Sequence, residues 1–225
     1  MQSQPRRKYR PFPPITLPDR QWPARTITRA PIWLSTDLRD GNQALFEPMS
    51  IERKLQLFTT LCSIGFREIE VAFPSASQIE FDFVRLLIER GHIPAGVTIA
   101  VLTQAREHLI ERTIEAACGA QRVIVHVYNA TSKRFRETVF ASSPEQVVDM
   151  AVRAVRRVRA LTDARPATRW QLEYSPETFS ATELPFARQI CDAVTDAWDA
   201  SPERQVIINL PATVEVATPN VYADQ

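Results

Sequence analysis

Glycine is scarce, at five of 225 residues, and neither G-x-G-x-x-G nor G-x-x-x-x-G-K-[ST] occurs. A backbone cradle for nucleotide phosphates is thereby missing. There are only three cysteines, Cys62, Cys118 and Cys191, far apart on segments that read as helices and without C-x-x-C or C-x-x-H spacing. They read as small core residues rather than as a disulfide framework or a thiolate metal site. No run approaches the roughly 18 uncharged apolar residues of a membrane-spanning helix, and the N-terminus has no apolar signal core. The expected location is the cytosol, with no membrane partner. A surplus of charge is also absent: 27 Lys and Arg stand against 26 Asp and Glu, a formal net charge of +1. Without a positive field, nucleic acid and anionic membranes are poor partners, and small-molecule chemistry is the better expectation.

What is present divides into two rhythms. Residues 1–31 hold seven of the 17 prolines and seven of the Lys and Arg, including Arg6-Arg7-Lys8. Proline at that density denies the segment helix or sheet interior, so it reads as an arm, either disordered or laid extended over something else. From residue 32, short runs rich in Val, Ile and aromatics alternate with stretches of helical period. Strands are expected near 32–39, 66–73, 98–103, 122–128, 168–175 and 205–211, and helices near 50–64, 78–90, 105–118, 143–162 and 182–199. Ser143-Pro144-Glu145-Gln146 has the form of a capping box, and Gly65, Gly91 and Gly119 each follow a helical run where a left-handed residue would close it.

Strict alternation of strand and helix implies a parallel sheet. A doubly wound open sheet and a (β/α)₈ barrel compete; the missing phosphate loop favours the barrel. About six strands and five helices can be counted, whereas a complete barrel has eight strands. The expected fold is therefore α/β, a partial (β/α)₈ TIM barrel lacking its last two strands, with the arm at 1–31 and the incomplete barrel at 32–225.

Barrel chemistry gathers where the strands end. The first strand runs into Arg39-Asp40, and both can serve one site only if the chain bends there, which Gly41 would permit. Asp40-Gly41 also reads as a hairpin turn, although ALFEPMSIERK does not alternate like a returning strand. His126 stands opposite the valines of the fourth strand and is either a hydrogen-bonded core residue or a functional one. In the fifth strand Gln171, Glu173, Ser175 and Glu177 share one phase, and Trp170, Leu172 and Tyr174 the other. This pattern suits a strand lining a barrel mouth; an exposed antiparallel edge, which would accept Pro176, is the alternative. Asn209, Pro211 and Thr213 are in phase at the end of the sixth.

The strings STDLRDGNQAL, EIEVAFPSAS, LEYSPETFS and NLPATVEVATPNVYADQ, with YRPFPPITLPDRQWP in the arm, resemble the 2-isopropylmalate synthases of the subtype with a long N-terminal arm. LRDGNQ alone would indicate only the wider group of metal-dependent aldol and Claisen enzymes on barrels, pyruvate carboxyltransferase-like in domain type. The resemblance implies condensation of acetyl-CoA with 2-oxoisovalerate to give 2-isopropylmalate and free CoA, opening leucine biosynthesis, in a full-length enzyme that is a homodimer. It implies a divalent metal, Mg²⁺ or Mn²⁺ with Zn²⁺ a third option, held in part by Asp40. It gives Arg39 the stabilisation of negative charge on oxygen and Glu177 the proton transfers of catalysis. His126, Ser175, Asn209 and Thr213 match substrate-contacting positions. The family takes two further metal ligands from a His-x-His motif on the seventh strand, whereas the histidines here are His92, His108 and His126. The expectation is thus the N-terminal part of such a synthase, inactive as it stands. A homocitrate- or citramalate-type synthase, or a non-catalytic fragment that associates with other barrel chains, are the alternatives.

Overall fold

A computed structural model describes residues 12–225; the Arg6-Arg7-Lys8 run lies outside the described residues. Between residue 12 and the first strand, the only regular element among them is a 3₁₀ turn at Trp22–Ala24. Six strands follow, β1 (Leu34–Ser35), β2 (Glu68–Ala72), β3 (Thr98–Gln104), β4 (Arg122–Ala130), β5 (Arg169–Glu177) and β6 (Val206–Ile208). They pair in sequence order, β1-β2-β3-β4-β5-β6, and every pairing is parallel. The crossovers are carried by α1 (Ile51–Ile64), α2 (Gln78–Glu89), α3 (Glu107–Ala117), α5 (Pro144–Asp163) and α6 (Leu184–Trp198). Two short helices, α4 (Lys133–Phe135) and α7 (Pro219–Asp224), stand at the carboxyl-terminal side and were not legible as helical runs. The fold is a partial (β/α)₈ barrel with six of the eight strands.

The helix ends follow local chemistry. Ser143 accepts from the Gln146 amide while Gln146 returns a bond to the Ser143 amide, so the box at the head of α5 satisfies two orphan donors. Gly65 closes α1 at φ +111°, where any Cβ would be strained. The sheet then divides its residues between two faces. Ile69, Val71, Ile99, Val101, Val123, Val125, Val127, Leu172 and Tyr174 pack outward beneath the helices in one continuous core. Each such fully buried aliphatic chain contributes ~1.5–3 kcal/mol relative to exposure. Glu70, His126, Glu173 and Ser175, all buried, belong to the opposite face of the same strands.

Three expectations are corrected and two alternatives are ruled out. The first strand ends at Ser35 rather than 39, because the chain turns helically: the Thr36 carbonyl accepts from the amides of Arg39, Asp40 and Gly41 at 3.2, 2.8 and 3.2 Å. Gly41 is not in the left-handed region, so the bend depends on this wide turn over Asp37–Gly41 and not on glycine's freedom. No hairpin forms. The fifth strand is no antiparallel edge, since it lies between β4 and β6. Pro176 is tolerated there for a positional reason. Thr131 N donates to Glu177 O on the β4 side and Asn209 N to Tyr174 O on the β6 side, so Pro176 faces β6 where that ladder has already ended. The cysteines are half-buried against the core rather than inside it.

Candidate active site

The carboxyl ends of β1, β3, β4, β5 and β6 open into one cavity of about 550 Å³. Arg39, Asp40, His126, Ser175, Glu177, Asn209 and Thr213 all line it, together with Leu102, Tyr128 and Pro211. The wide turn after β1 is what delivers two sequence neighbours to one site. In an extended strand they would have pointed to opposite faces.

A hydrogen-bonded chain crosses the floor. Asn209 Nδ2 donates to Ser175 Oγ at 2.8 Å, and Ser175 Oγ lies 2.6 Å from His126 Nε2. On the other side of the ring, His126 Nδ1 lies 2.7 Å from Glu70 Oε1. Glu70 Oε2 accepts from Arg39 Nε at 2.8 Å and faces Arg39 Nη2 at 2.7 Å, while Arg39 Nη1 reaches Asp40 Oδ1 at 2.7 Å. Burial alone would push the Glu70 carboxyl up; the His126 bond and the Arg39 charge outweigh it and hold it below the ordinary value. Glu173, next along the same face, has the opposite balance. Burial raises it, the Glu70 charge adds to the rise, and His126 Nε2 at 3.6 Å only partly offsets it. Its Oε2 is buried without a partner, which suits a neutral acid better than a carboxylate.

Glu177 is half-buried, raised by burial and pulled back by the charge of Arg39. Its backbone carbonyl accepts from Thr131 N at 2.9 Å and Thr131 Oγ1 at 3.0 Å. The following residue, Thr178, is left-handed at φ +63°, rare for a β-branched side chain, and its amide donates to Thr213 Oγ1 at 3.0 Å. Glu177 and Thr213 are therefore held to each other through one strained residue.

Sequence reasoning missed Glu70. A signal was there: in EIEVA a carboxylate stands between Ile69 and Val71 in a strand too apolar to carry a charge without a partner. Asp40 is placed at the mouth, but its side chain is 65% exposed and spent on Arg39. Among the described residues no three His, Cys, Asp or Glu side chains come together as a metal set. A divalent ion that takes six or so oxygen ligands is not held by one carboxylate. The residues described here do not by themselves fit the metal, and no step below runs through one.

The HMGL-like family model matches residues 30–225. The chain belongs to the HMGL-like family. Over its whole length it is 63% identical to the 2-isopropylmalate synthase of Ralstonia nicotianae and 60% identical to that of Pseudomonas putida. It spans about two fifths of those relatives' length, 39% and 40% respectively. Among solved structures, an HMG-CoA lyase from Acinetobacter baumannii in complex with coenzyme A and 3-methylmalate aligns with 84% of this chain and 58% of its own, at TM-score 0.58 and 15% identity. The Bacillus subtilis HMG-CoA lyase aligns over 74% and 55%, at TM-score 0.50 and 16% identity. These two bear on the fold alone. No helix among the described residues is long and apolar enough to cross a membrane.

Proposed function

We propose that this chain carries strand-end machinery of a 2-isopropylmalate synthase, joining acetyl-CoA to 2-oxoisovalerate in the first step of leucine biosynthesis. The observation that supports the reading is the convergence of Arg39, His126, Ser175, Glu177, Asn209 and Thr213, drawn from both margins and the middle of the sheet, on one cavity. In this reading the 2-oxoacid lies against His126, Ser175, Asn209 and Thr213, with its branched chain toward Leu102, Tyr128 and Pro211. Arg39, a permanent cation, stabilises the oxyanion that forms when the keto carbon is attacked. Glu177 takes the proton from the acetyl methyl group. Its burial-raised pKa brings it nearer neutrality, where a general base is most effective.

The test is a chimera in which this chain replaces the matching segment of the Ralstonia nicotianae relative, assayed for 2-isopropylmalate by mass spectrometry. Product is expected with 2-oxoisovalerate in preference to pyruvate or 2-oxoglutarate. Glu177→Gln should lower kcat by about 10²-fold or more, as loss of a general base does. The chain alone is expected to give no 2-isopropylmalate. A chimera indifferent to Glu177→Gln and Arg39→Lys would refute the assignment.

A further inference from the structure

The condensation reading gives no task to Glu173, whose side chain is buried to 5% exposure on the inner face of the sheet. It stands two residues before Ser175 on the same face of β5 and opposite His126 in the ladder. Its Oε1 lies 3.6 Å from His126 Nε2, and its Oε2 has no hydrogen-bond partner among the described residues. We propose that Glu173 is a positioning residue: it passes its proton to His126 when the 2-oxoacid binds, which frees Ser175 to donate to the ligand's carboxylate. The inference rests on the reading above and adds to it the source of that proton.

A serine hydroxyl has one proton and two lone pairs. At Ser175 one lone pair accepts from Asn209 Nδ2 at 2.8 Å, and His126 Nε2 stands 2.6 Å from the same oxygen. Glu70 Oε1, an anion 2.7 Å from Nδ1, keeps a ring proton on that nitrogen. With no second proton on the ring, Nε2 is an acceptor and takes the Ser175 proton inward. The hydroxyl then turns only a lone pair to the cavity, which repels a carboxylate. With a proton on Nε2 the bond reverses: Nε2 and Asn209 fill both lone pairs, and the Ser175 proton points at the ligand. Holding an anion there therefore requires one more proton on the ring.

Glu173 is placed to supply it. Burial first, and then the charges of Glu70 and Glu68 on β2, favour its protonated form against the pull of His126 and Arg39. On the β6 side its ladder neighbour is the apolar Ile207. As the ligand's carboxylate draws the serine proton toward the cavity, the Glu173 O–H bond breaks and an N–H bond forms at Nε2, after a rotation of the carboxyl that closes the 3.6 Å gap. A neutral acid and a neutral ring become a carboxylate and an imidazolium, so the net charge is unchanged and no proton comes from solvent. The imidazolium is then held between two anions, Glu70 and Glu173.

The experiment uses the chimera described above, titrated with 2-oxoisovalerate in the absence of acetyl-CoA. Infrared difference spectra should show a buried carboxylic-acid carbonyl band disappearing as the 2-oxoacid binds. Glu173→Gln, whose fold is checked by thermal melting, should lack that change. Calorimetry in buffers of different ionisation enthalpy should show Glu173→Gln taking up about one proton more per 2-oxoacid than its parent, since the ring must then draw on solvent. For the same reason its KM for 2-oxoisovalerate should climb more steeply than the parent's above neutral pH, by up to about tenfold per pH unit, while kcat changes less. In a Ser175→Ala background Glu173→Gln should produce neither effect, because no hydroxyl is left to turn. A parent that binds the 2-oxoacid with its acid band intact overturns the proposal, as does a Glu173→Gln protein with the parent's proton uptake and the parent's pH dependence of KM. Those outcomes leave the condensation reading standing. A chimera that neither binds nor condenses 2-oxoisovalerate refutes that reading and the proposal together.

Discussion

The centre of the sheet and its two margins are built to different standards. In the centre, β4 and β5 pair over nine residues each, and the side chains between them and their helices are wholly buried, Val123, Val125, Val127 and Leu172 at 0% exposure. At the margins β1 has two residues and β6 three, and large apolar groups face solvent: Ile32 at 76%, Trp33 at 69% and Val214 at 63%. The centre supplies His126, Ser175 and Glu177; the margins supply Arg39, Asp40, Asn209 and Thr213. Precision is thus inherited from a long parallel ladder on one wall of the site, while the opposite walls rest on short strands and on tethers such as Thr178 N to Thr213 Oγ1. A site assembled this way is rigid in the middle and adjustable at the rim.

The largest expected effect tests that contrast directly. Leu172→Ala should cost ~2–5 kcal/mol by urea unfolding, since a filled site cannot fully collapse around the loss. Trp33→Ala, at a position 69% exposed, should stay within ~0.5 kcal/mol. Equal costs would erase the distinction between centre and margin. Among the described residues the same margins present unpaired strand edges, so sedimentation should show self-association that Trp33→Lys reduces.

Two buried carboxylates on the central wall sharpen the comparison with effects of similar size. Glu70, held low by His126 and Arg39 against its burial, contributes stability that is present above the unfolded-state value and is lost as pH falls through the lower folded one. Glu173, raised chiefly by burial, costs nothing while protonated and begins to cost as pH rises above the unfolded-state value. Glu70→Gln should therefore cost ~3–5 kcal/mol at pH 7, because a half-buried arginine and a buried imidazole lose a buried anion, and less in acid. Glu173→Gln should be nearly neutral at pH 4 and stabilising at pH 8. Thermal melting of both variants at the two pH values checks the signs; a loss of stability at pH 8 in Glu173→Gln would mean that its buried oxygen has a role as an anion.

The five long helices and five of the six strands follow from periodicity within a few residues at each end, because amphipathic spacing and caps are local properties. The first strand was overextended for an equally local reason. Leu34, Thr36 and Leu38 keep an extended rhythm, whereas the turn that breaks it depends on one carbonyl collecting three amides, which no alternation pattern reports. At the site, Arg39, Asp40, His126, Ser175, Glu177, Asn209 and Thr213 were legible as polar residues at strand ends, and they do meet. Glu70 was not, because its meaning lies in partners 31 and 56 residues away. Only the lateral register of three strands brings the imidazole to the carboxylate. The same holds for the arm, whose prolines predict what it cannot be but not what it touches.

That contact supplies the smallest and most pH-specific expectation. Arg20 forms a two-pronged ion pair with Asp224 of α7, and Trp22 Nε1 donates to Asp224 Oδ1 at 2.8 Å. Those side-chain bonds, from Arg20 first and then Trp22, lower the Asp224 carboxyl from 3.8 to about 2. A depressed acid stabilises the fold above its unfolded value and loses that contribution as pH falls through the folded one, so the clasp should weaken between pH 3.8 and about 2. From α7 the linkage continues inward: Tyr222 meets Phe179 edge-on at 5.9 Å, and its hydroxyl donates to the Leu210 carbonyl, between Asn209 and Pro211. Releasing the clasp should therefore be felt at the β6 margin and not at the centre. The Trp22 indole N–H resonance should shift through that acid window in the unaltered chain and lie at its released position throughout in Asp224→Asn. In the same variant at neutral pH, amide exchange should quicken modestly over residues 209–214 and stay unchanged over 123–127. Quickening in both segments would mean that the arm stabilises the whole sheet, and in neither that the clasp is an ornament of the surface.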